Sequence, residues 1–149
     1  MGIIVQKFGG SSVANTERLE NVCKHIKKEL ELNNKIIVVV SAQGKTTDKL
    51  IAEEAELKTS INKREHDALV SVGEQITMAK LSMLLNRFNI KAISLTGWQV
   101  PIITNSNFTD AEIKYIGCKR IKQELSKNNV VVVAGFQGVD KKQNITTLR

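Results

Sequence analysis

The sequence predicts an α/β fold, a three-layer sandwich with a mostly parallel central sheet and helices on both faces. Three observations carry that expectation. Short apolar runs alternate along the chain with stretches of helical periodicity, the arrangement that builds βαβ units. Two of the runs, 36–40 and 130–134, contain no alternating polar residue, as a strand buried on both faces of a helix-covered parallel sheet requires, so both are expected in central strands. Most runs end in glycine, serine or threonine, the composition of ligand-side turns at the carboxyl ends of such strands. With 149 residues, 42% of them apolar and 4% aromatic, the chain is long enough to close one core, and no linker or low-complexity tract divides it.

The first run, Ile3-Ile4-Val5-Gln6-Lys7-Phe8, leads into Gly9-Gly10-Ser11-Ser12 and reads as strand, phosphate-facing turn and helix start. Glycines leave backbone N–H groups open to an anion and permit positive φ, a helix N-terminus adds partial positive charge, and Lys7 adds a full one. An ordinary turn with a solvent-facing Lys7 remains equally open on these residues alone. Asn15 or Thr16 caps a helix in which Leu19, Val22, Cys23, Ile26 and Leu30 recur at helical spacing, ending near Asn33-Asn34. The strand at 36–40 ends in Ser41-Ala42-Gln43-Gly44, and a right-handed crossover brings this turn to the same sheet edge as the first. Gly44-Lys45-Thr46 resembles the end of a Walker A loop, but that loop needs a glycine five positions earlier, where Val39 stands, so a P-loop is excluded. Thr46-Thr47-Asp48 opens the next helix, with Thr47 either capping it or offering its hydroxyl to a ligand.

The longest helical pattern runs from Glu65 to about Asn89 with two apolar stripes, one through Leu69, Val72, Ile76, Ala79 and Met83, the other through Val70, Met78, Leu81 and Leu85. A helix apolar on two sides is buried on two sides. Glu74 stands in the second stripe beside Gly73, where a carboxylate is costly unless partnered. A structural salt bridge and a ligand's ammonium group are equally open as that partner. Residues 91–95 form a third strand, and Thr96-Gly97-Trp98-Gln99 a turn in which Trp98 packs. Residues 100–104 read as an edge strand, because Pro101 cannot donate to a ladder. From Asp110 a helix carrying Ile113, Cys118, Ile121 and Leu125 is expected to reach Asn128-Asn129; 130–134 then closes in Gly135-Phe136-Gln137-Gly138, and 145–148 begins a last extended piece.

The net charge of +7 is spread over Lys27-Lys28, Lys63-Arg64, Lys119-Arg120 and Lys141-Lys142, mixed with acidic residues and without aromatic interleaving, which argues against a nucleic-acid partner and for a surface biased toward anionic ligands. The apolar runs are shorter than a membrane span, and Met1-Gly2 leads straight into a strand, so neither a membrane segment nor a signal peptide is expected and the cytoplasm is the expected compartment. Cys23 and Cys118 fall in helical patterns with no CxxC; buried thiols are expected, with no disulfide and no protein-bound metal. His25 and His66 are isolated and expected at the surface. Nothing resembles a nucleophilic triad or an acid/base carboxylate pair, so an enzyme built on this chain works by positioning and charge stabilisation, as phosphoryl transfer does.

Six segments carry a resemblance: Lys7-Phe8-Gly9-Gly10-Ser11-Ser12-Val13, Val39-Val40-Ser41-Ala42, Thr46-Thr47-Asp48, Ser71-Val72-Gly73-Glu74-Gln75, Ser94-Leu95-Thr96-Gly97-Trp98-Gln99 and Val133-Ala134-Gly135-Phe136-Gln137-Gly138. They stand in the order found in aspartate kinases, and from about Val5 to Leu148 the chain resembles the first half of an aspartokinase's amino-acid kinase domain. The resemblance implies ATP-dependent phosphorylation of the side-chain carboxylate of L-aspartate, the first step toward lysine, threonine and methionine. It assigns ATP-phosphate contacts to Lys7, Phe8, Gly9, Gly10, Ser11 and Ser41, with Lys7 also catalytic, and aspartate contacts to Thr47 and Glu74, the latter through the α-ammonium. Mg2+ arrives with ATP rather than in a protein cage. In the family the Ile145-Thr146-Thr147-Leu148 segment continues into a Gly-Arg-Gly-Gly-Ser-Asp turn, a nucleotide-binding half and ACT domains; here Arg149 follows directly. The implied state is therefore a half-domain, inactive alone, that forms a homo-oligomer or lacks a complementary half, with a non-catalytic module binding an anion or amino acid, or completing a partner, as the alternative.

Overall fold

The computed structural model describes residues 2–149. Along the chain run β1 (Ile3–Phe8), α1 (Thr16–Glu31), β2 (Lys35–Val40), α2 (Thr46–Glu56), α3 (Lys63–Val70), α4 (Val72–Arg87), β3 (Ala92–Leu95), β4 (Ile102–Thr104), β5 (Ile113–Ile116), α5 (Lys119–Ser126), β6 (Val130–Ala134), β7 (Gln137–Val139) and β8 (Ile145–Thr147). β1, β2, β6 and β3 form an all-parallel sheet in that spatial order. The two valine-rich runs are its central strands, as their unbroken hydrophobicity requires.

Period-two alternation divides this sheet's residues between two cores. Ile36, Val38, Val40, Val130 and Val132 pack beneath α1 and α4, against Val22, Ile26, Leu81 and Leu85. Val131, Val133 and Leu95 face the other way and meet Leu125, on α5. Helices thus cover both faces, but cover of the second stops short of β1, where Ile3 and Val5 remain exposed.

A second sheet, ordered β5-β4-β7-β8, was not foreseen. Gly135 and Phe136 make the corner between the sheets, Phe136 in the left-handed region at φ 67°. Two buried polar side chains tie this sheet to the rest. Asp67, fully buried in the middle of α3, accepts from Thr109 N (2.9 Å), Thr147 N (2.9 Å) and Thr147 Oγ1 (2.8 Å). Gln137 accepts from Gly97 N (2.9 Å) through Oε1 and donates from Nε2 to the Ser71 carbonyl (2.7 Å).

Several sequence expectations are corrected. The helix expected from Asp110 is strand β5 followed by a shorter helix: Ile113 to Ile116 is a β-branched and aromatic stretch, and buried Gly117 separates it from α5. Pro101 does not mark an edge strand; it lies in the turn before β4, after a cis bond from Val100, and β4 is interior to its sheet. The helix expected over 65–89 breaks at Ser71 into α3 and α4. Taken as one stretch, Lys63–Arg87 reaches the length and apolarity of a membrane span, contrary to the reading of run lengths, but half of its most apolar window is buried within this fold. Cys23 is buried, whereas Cys118 is exposed at the N-cap of α5. His25 is exposed, and His66 is half-buried with Nδ1 2.6 Å from Glu54 Oε2.

The glycine turns separate by steric need. A Cβ on Gly97 would lie 2.3 Å from the Gln137 carbonyl oxygen, while one on Gly9 would meet nothing within 4 Å. Gly97→Ala should therefore lose about 3 kcal/mol or more in urea unfolding, and Gly9→Ala less than about 0.5 kcal/mol, because a backbone atom cannot step aside as a side-chain end does. Equal stabilities for the two variants would contradict this account of the turn.

Candidate functional site

A cleft of about 610 Å³ opens at the carboxyl ends of β1, β2 and β6, and Lys7, Ser41, Thr47 and Glu74 all line it. Strand register explains the first two. Lys7 pairs with Val39 and Phe8 with Val40 in parallel, so Val5, Lys7, Val39 and Ser41 project from the same sheet face into the cleft. Lys7 is exposed, and among the described residues it makes no ion pair or side-chain hydrogen bond.

The same alternation turns Phe8 away. Its ring packs on the α1 side, 6.4 Å from the His25 ring, so only its backbone adjoins the glycine turn. Ser11 is exposed outside the cleft lining. The glycine pair does not use the positive φ open to it: Gly9 has φ −77°, and Gly44 is the glycine with a left-handed backbone among the described residues. The strand passes through Gly9 into a 3-10 turn, Gly10–Val13, and α1 begins only at Thr16, with Asn15 Oδ1 accepting from Arg18 N. Gly10 answers a packing demand. Gly44 N donates to its carbonyl at 3.0 Å, and a Cβ there would stand 3.1 Å from the Ala42 carbonyl oxygen.

Thr47 does not cap α2. The N-cap position is Lys45, and it is Thr46 Oγ1 that bonds back to the Gln43 carbonyl at 2.6 Å. The Thr47 hydroxyl has no hydrogen-bond partner among the described residues and faces the cleft. Glu74 lies in the first turn of α4, only 5% exposed. Its Oε2 accepts from Ala42 N at 3.2 Å, while Oε1 is buried and unpartnered among the described residues. No salt bridge meets it there, so one of the two partners the sequence left open is absent. Burial pushes its carboxyl up to about 7, opposed more weakly by the N–H groups of Glu74 itself and Ala42. Gly73 lets the helix approach this closely, since a Cβ would fall 2.7 Å from that of Ala42.

The cleft therefore offers a free ammonium group, two hydroxyls and a carboxyl with one oxygen to spare, on walls of Val5, Val39 and Val133. That set can grip a zwitterionic amino acid beside an anion, and it contains no base paired with a nucleophile. Sequence reasoning missed part of the lining: Gly135, Phe136 and Arg149, the last bonded to Asp110 Oδ1 at 3.1 Å. The position of Gly135 and Phe136 after a fully buried strand was the available signal.

Residues 2–148 match the model of the amino acid kinase family. The aspartokinases of Bacillus sp. strain MGA3 and Geobacillus stearothermophilus are each 47% identical over 148 residues, covering 99% of this chain and 36% of theirs. The aspartokinase of Helicobacter pylori 26695 is 44% identical over 98% of this chain and 36% of its own length. The chain thus spans just over a third of these relatives. Among solved structures, an aspartate kinase from Synechocystis superposes with a TM-score of 0.83 at 40% identity, over 100% of this chain and 24% of that one. Aspartokinase III of E. coli in complex with aspartate and ADP shares the fold, with a TM-score of 0.84 at 22% identity over 98% of this chain and 43% of that one.

The environment of Glu74 fixes a pH dependence. Its folded-state pKa lies above the unfolded value, so as pH rises from about 4.5 to about 7 the unfolded chain releases this proton first and stability falls; above that window the deficit is constant. Glu74→Gln should match the wild type near pH 4.5 and exceed it at pH 8 by on the order of 2 kcal/mol. Urea unfolding at the two pH values checks this, and a variant less stable at pH 8 would show that Oε1 has a partner after all.

Proposed function

The chain belongs to the amino acid kinase family, and from that premise we propose that it is the first half of the kinase domain of a cytoplasmic aspartate kinase, which transfers the γ-phosphoryl group of ATP to the side-chain carboxylate of L-aspartate. The observation that carries this reading is the meeting of Lys7, Ser41, Thr47 and Glu74 in one cleft, with the Glu74 Oε1 unpartnered. The names and identities of the aspartokinase relatives support it.

In this reading a carboxylate oxygen of aspartate attacks the γ-phosphorus, an O–P bond forms, and the bond to the bridging oxygen breaks to release ADP. The nucleophile is already anionic, which fits a cleft without a general base. Lys7 neutralises charge growing on the transferring group, and the N–H groups of Gly9 and Gly10 hold the nucleotide phosphates, assisted by Ser41. Phe8 and Ser11 contribute through the backbone of the same turn. Thr47 holds aspartate, and Glu74, once deprotonated, pairs with its α-ammonium. Magnesium supplies charge neutralisation on the phosphates and enters with the nucleotide.

A second reading draws on Ile3 and Val5, 57% and 63% exposed beside the cleft: the chain serves as a partner-completing module, covered there by a second copy or by a complementary half-domain. Sedimentation of the chain alone tests the second-copy case, since a concentration-independent monomer would remove it.

For the kinase reading, hydroxamate trapping with ATP and Mg2+ should detect negligible aspartyl phosphate from the 149-residue chain. In the full-length protein Lys7→Ala should lower kcat by about 100-fold or more, while Glu74→Ala should mainly raise the KM for aspartate, by about tenfold or more. Robust turnover by the short chain overturns the half-domain assignment, and unchanged kinetics in both variants overturns the site.

A further inference from the structure

We propose that Gln137 is a positioning residue for the substrate-facing carboxylate: from its buried place at the start of β7 it fixes the first turn of α4 and so sets where Glu74 stands in the cleft. The inference rests on the aspartate reading for the identity of the ligand, and on geometry alone for the placement.

Gln137 is completely buried, and both ends of its amide are used. Oε1 accepts from Gly97 N at 2.9 Å, and Nε2 donates to the Ser71 carbonyl at 2.7 Å. The partners fix the orientation, because a flipped amide would set N–H against N–H and oxygen against oxygen. Ser71, 1% exposed, is the residue between α3 and α4. Glu74 stands three positions later, nearly one helical turn on, so a shift of Ser71 is carried rigidly to Glu74. From the opposite side the β2 turn holds the same helix end, Ala42 N bonding Glu74 Oε2 and the Ala42 Cβ lying against Gly73. The first turn of α4 is thereby clamped between β2 and β7. An apolar residue at 137 would fill the space, yet leave the buried Gly97 N–H and Ser71 carbonyl without this partner.

The experiment uses the 149-residue chain with 13C-labelled glutamate carboxyls and follows the Glu74 titration by NMR in the wild type, Gln137→Leu and Gln137→Met, with Asp67→Asn as a control that loosens the other buried polar tie. Both Gln137 variants should lower the Glu74 midpoint by about one pH unit or more, because a displaced turn admits water to Oε1; the control should lose thermal stability and keep the wild-type midpoint. An unchanged midpoint in either folded Gln137 variant overturns the proposal, as does an equal shift in the control. Should neither variant fold, hydrogen exchange of the wild type decides. The Gln137 Nε protons and the Gln75 amide must then open together, and Nε protons exchanging about 100-fold faster overturn the proposal. Adding L-aspartate with ADP to the full-length protein tests the underlying reading separately: no response at Glu74 in the wild type removes aspartate as the ligand and leaves the titration comparison intact. In the full-length protein the same variants should raise the KM for aspartate about tenfold and leave that for ATP within about twofold.

Discussion

The parallel register of β1 on β2 is the constraint on which the site depends. With Lys7 opposite Val39 and Phe8 opposite Val40, each residue's face of the sheet is decided, and the turns at the ends of the two strands are brought into backbone contact through Gly44 N and the Gly10 carbonyl. A slip of one residue would send Lys7 under α1 and expel Phe8 from its core. The α1 crossover and the apolar packing of Ile36, Val38 and Val40 hold that register. A functional lysine is thus placed by residues that never touch a ligand.

Glu74 illustrates a different balance. Hydrophobic neighbours at Met78 and Leu81 carry α4 into the core, and the carboxyl goes with them at one end. It receives a single external donor, Ala42 N, which is too little for a buried anion and enough to orient an acid. Lys7 lies on the exposed side of the same cleft.

The parallel sheet was largely legible in the sequence because its central strands carry an unmistakable composition: 36–40 and 130–134 have no second interpretation of that length. The second sheet was not legible. Its strands β4, β7 and β8 are three residues each, too short for alternation to register, and they are fixed by side chains such as Asp67 and Gln137 whose partners lie far along the chain. Ile113, Cys118, Ile121 and Leu125 also fall near helical spacing, which masked the strand inside that stretch. At the site, strand ends and an out-of-place carboxylate marked the sheet edge and Glu74, while the roles of Lys7, Ser41, Thr47 and Glu74 came from the resemblance to aspartate kinases. Phe8 could have been set aside from the sequence too, since adjacent strand residues cannot both face the same ligand. The break at Ser71 has no local signal beyond a serine, because a distant glutamine amide occupies its carbonyl.

The Asp67–Thr147 bonds bear on the order in which the molecule comes into being. They join positions 80 residues apart, and Thr147 supplies two of the three donors that satisfy a fully buried carboxylate. During synthesis α3 leaves the ribosome long before those donors exist, so Asp67 has to stay hydrated and α3 undocked until nearly the last residue described here has been made. The strands of the parallel sheet face a similar wait for β6, which enters between β2 and β3. A nascent chain thus holds β1, β2 and β3 in hand with a gap at their centre, a state that exposes strand edges for seconds at ordinary elongation rates.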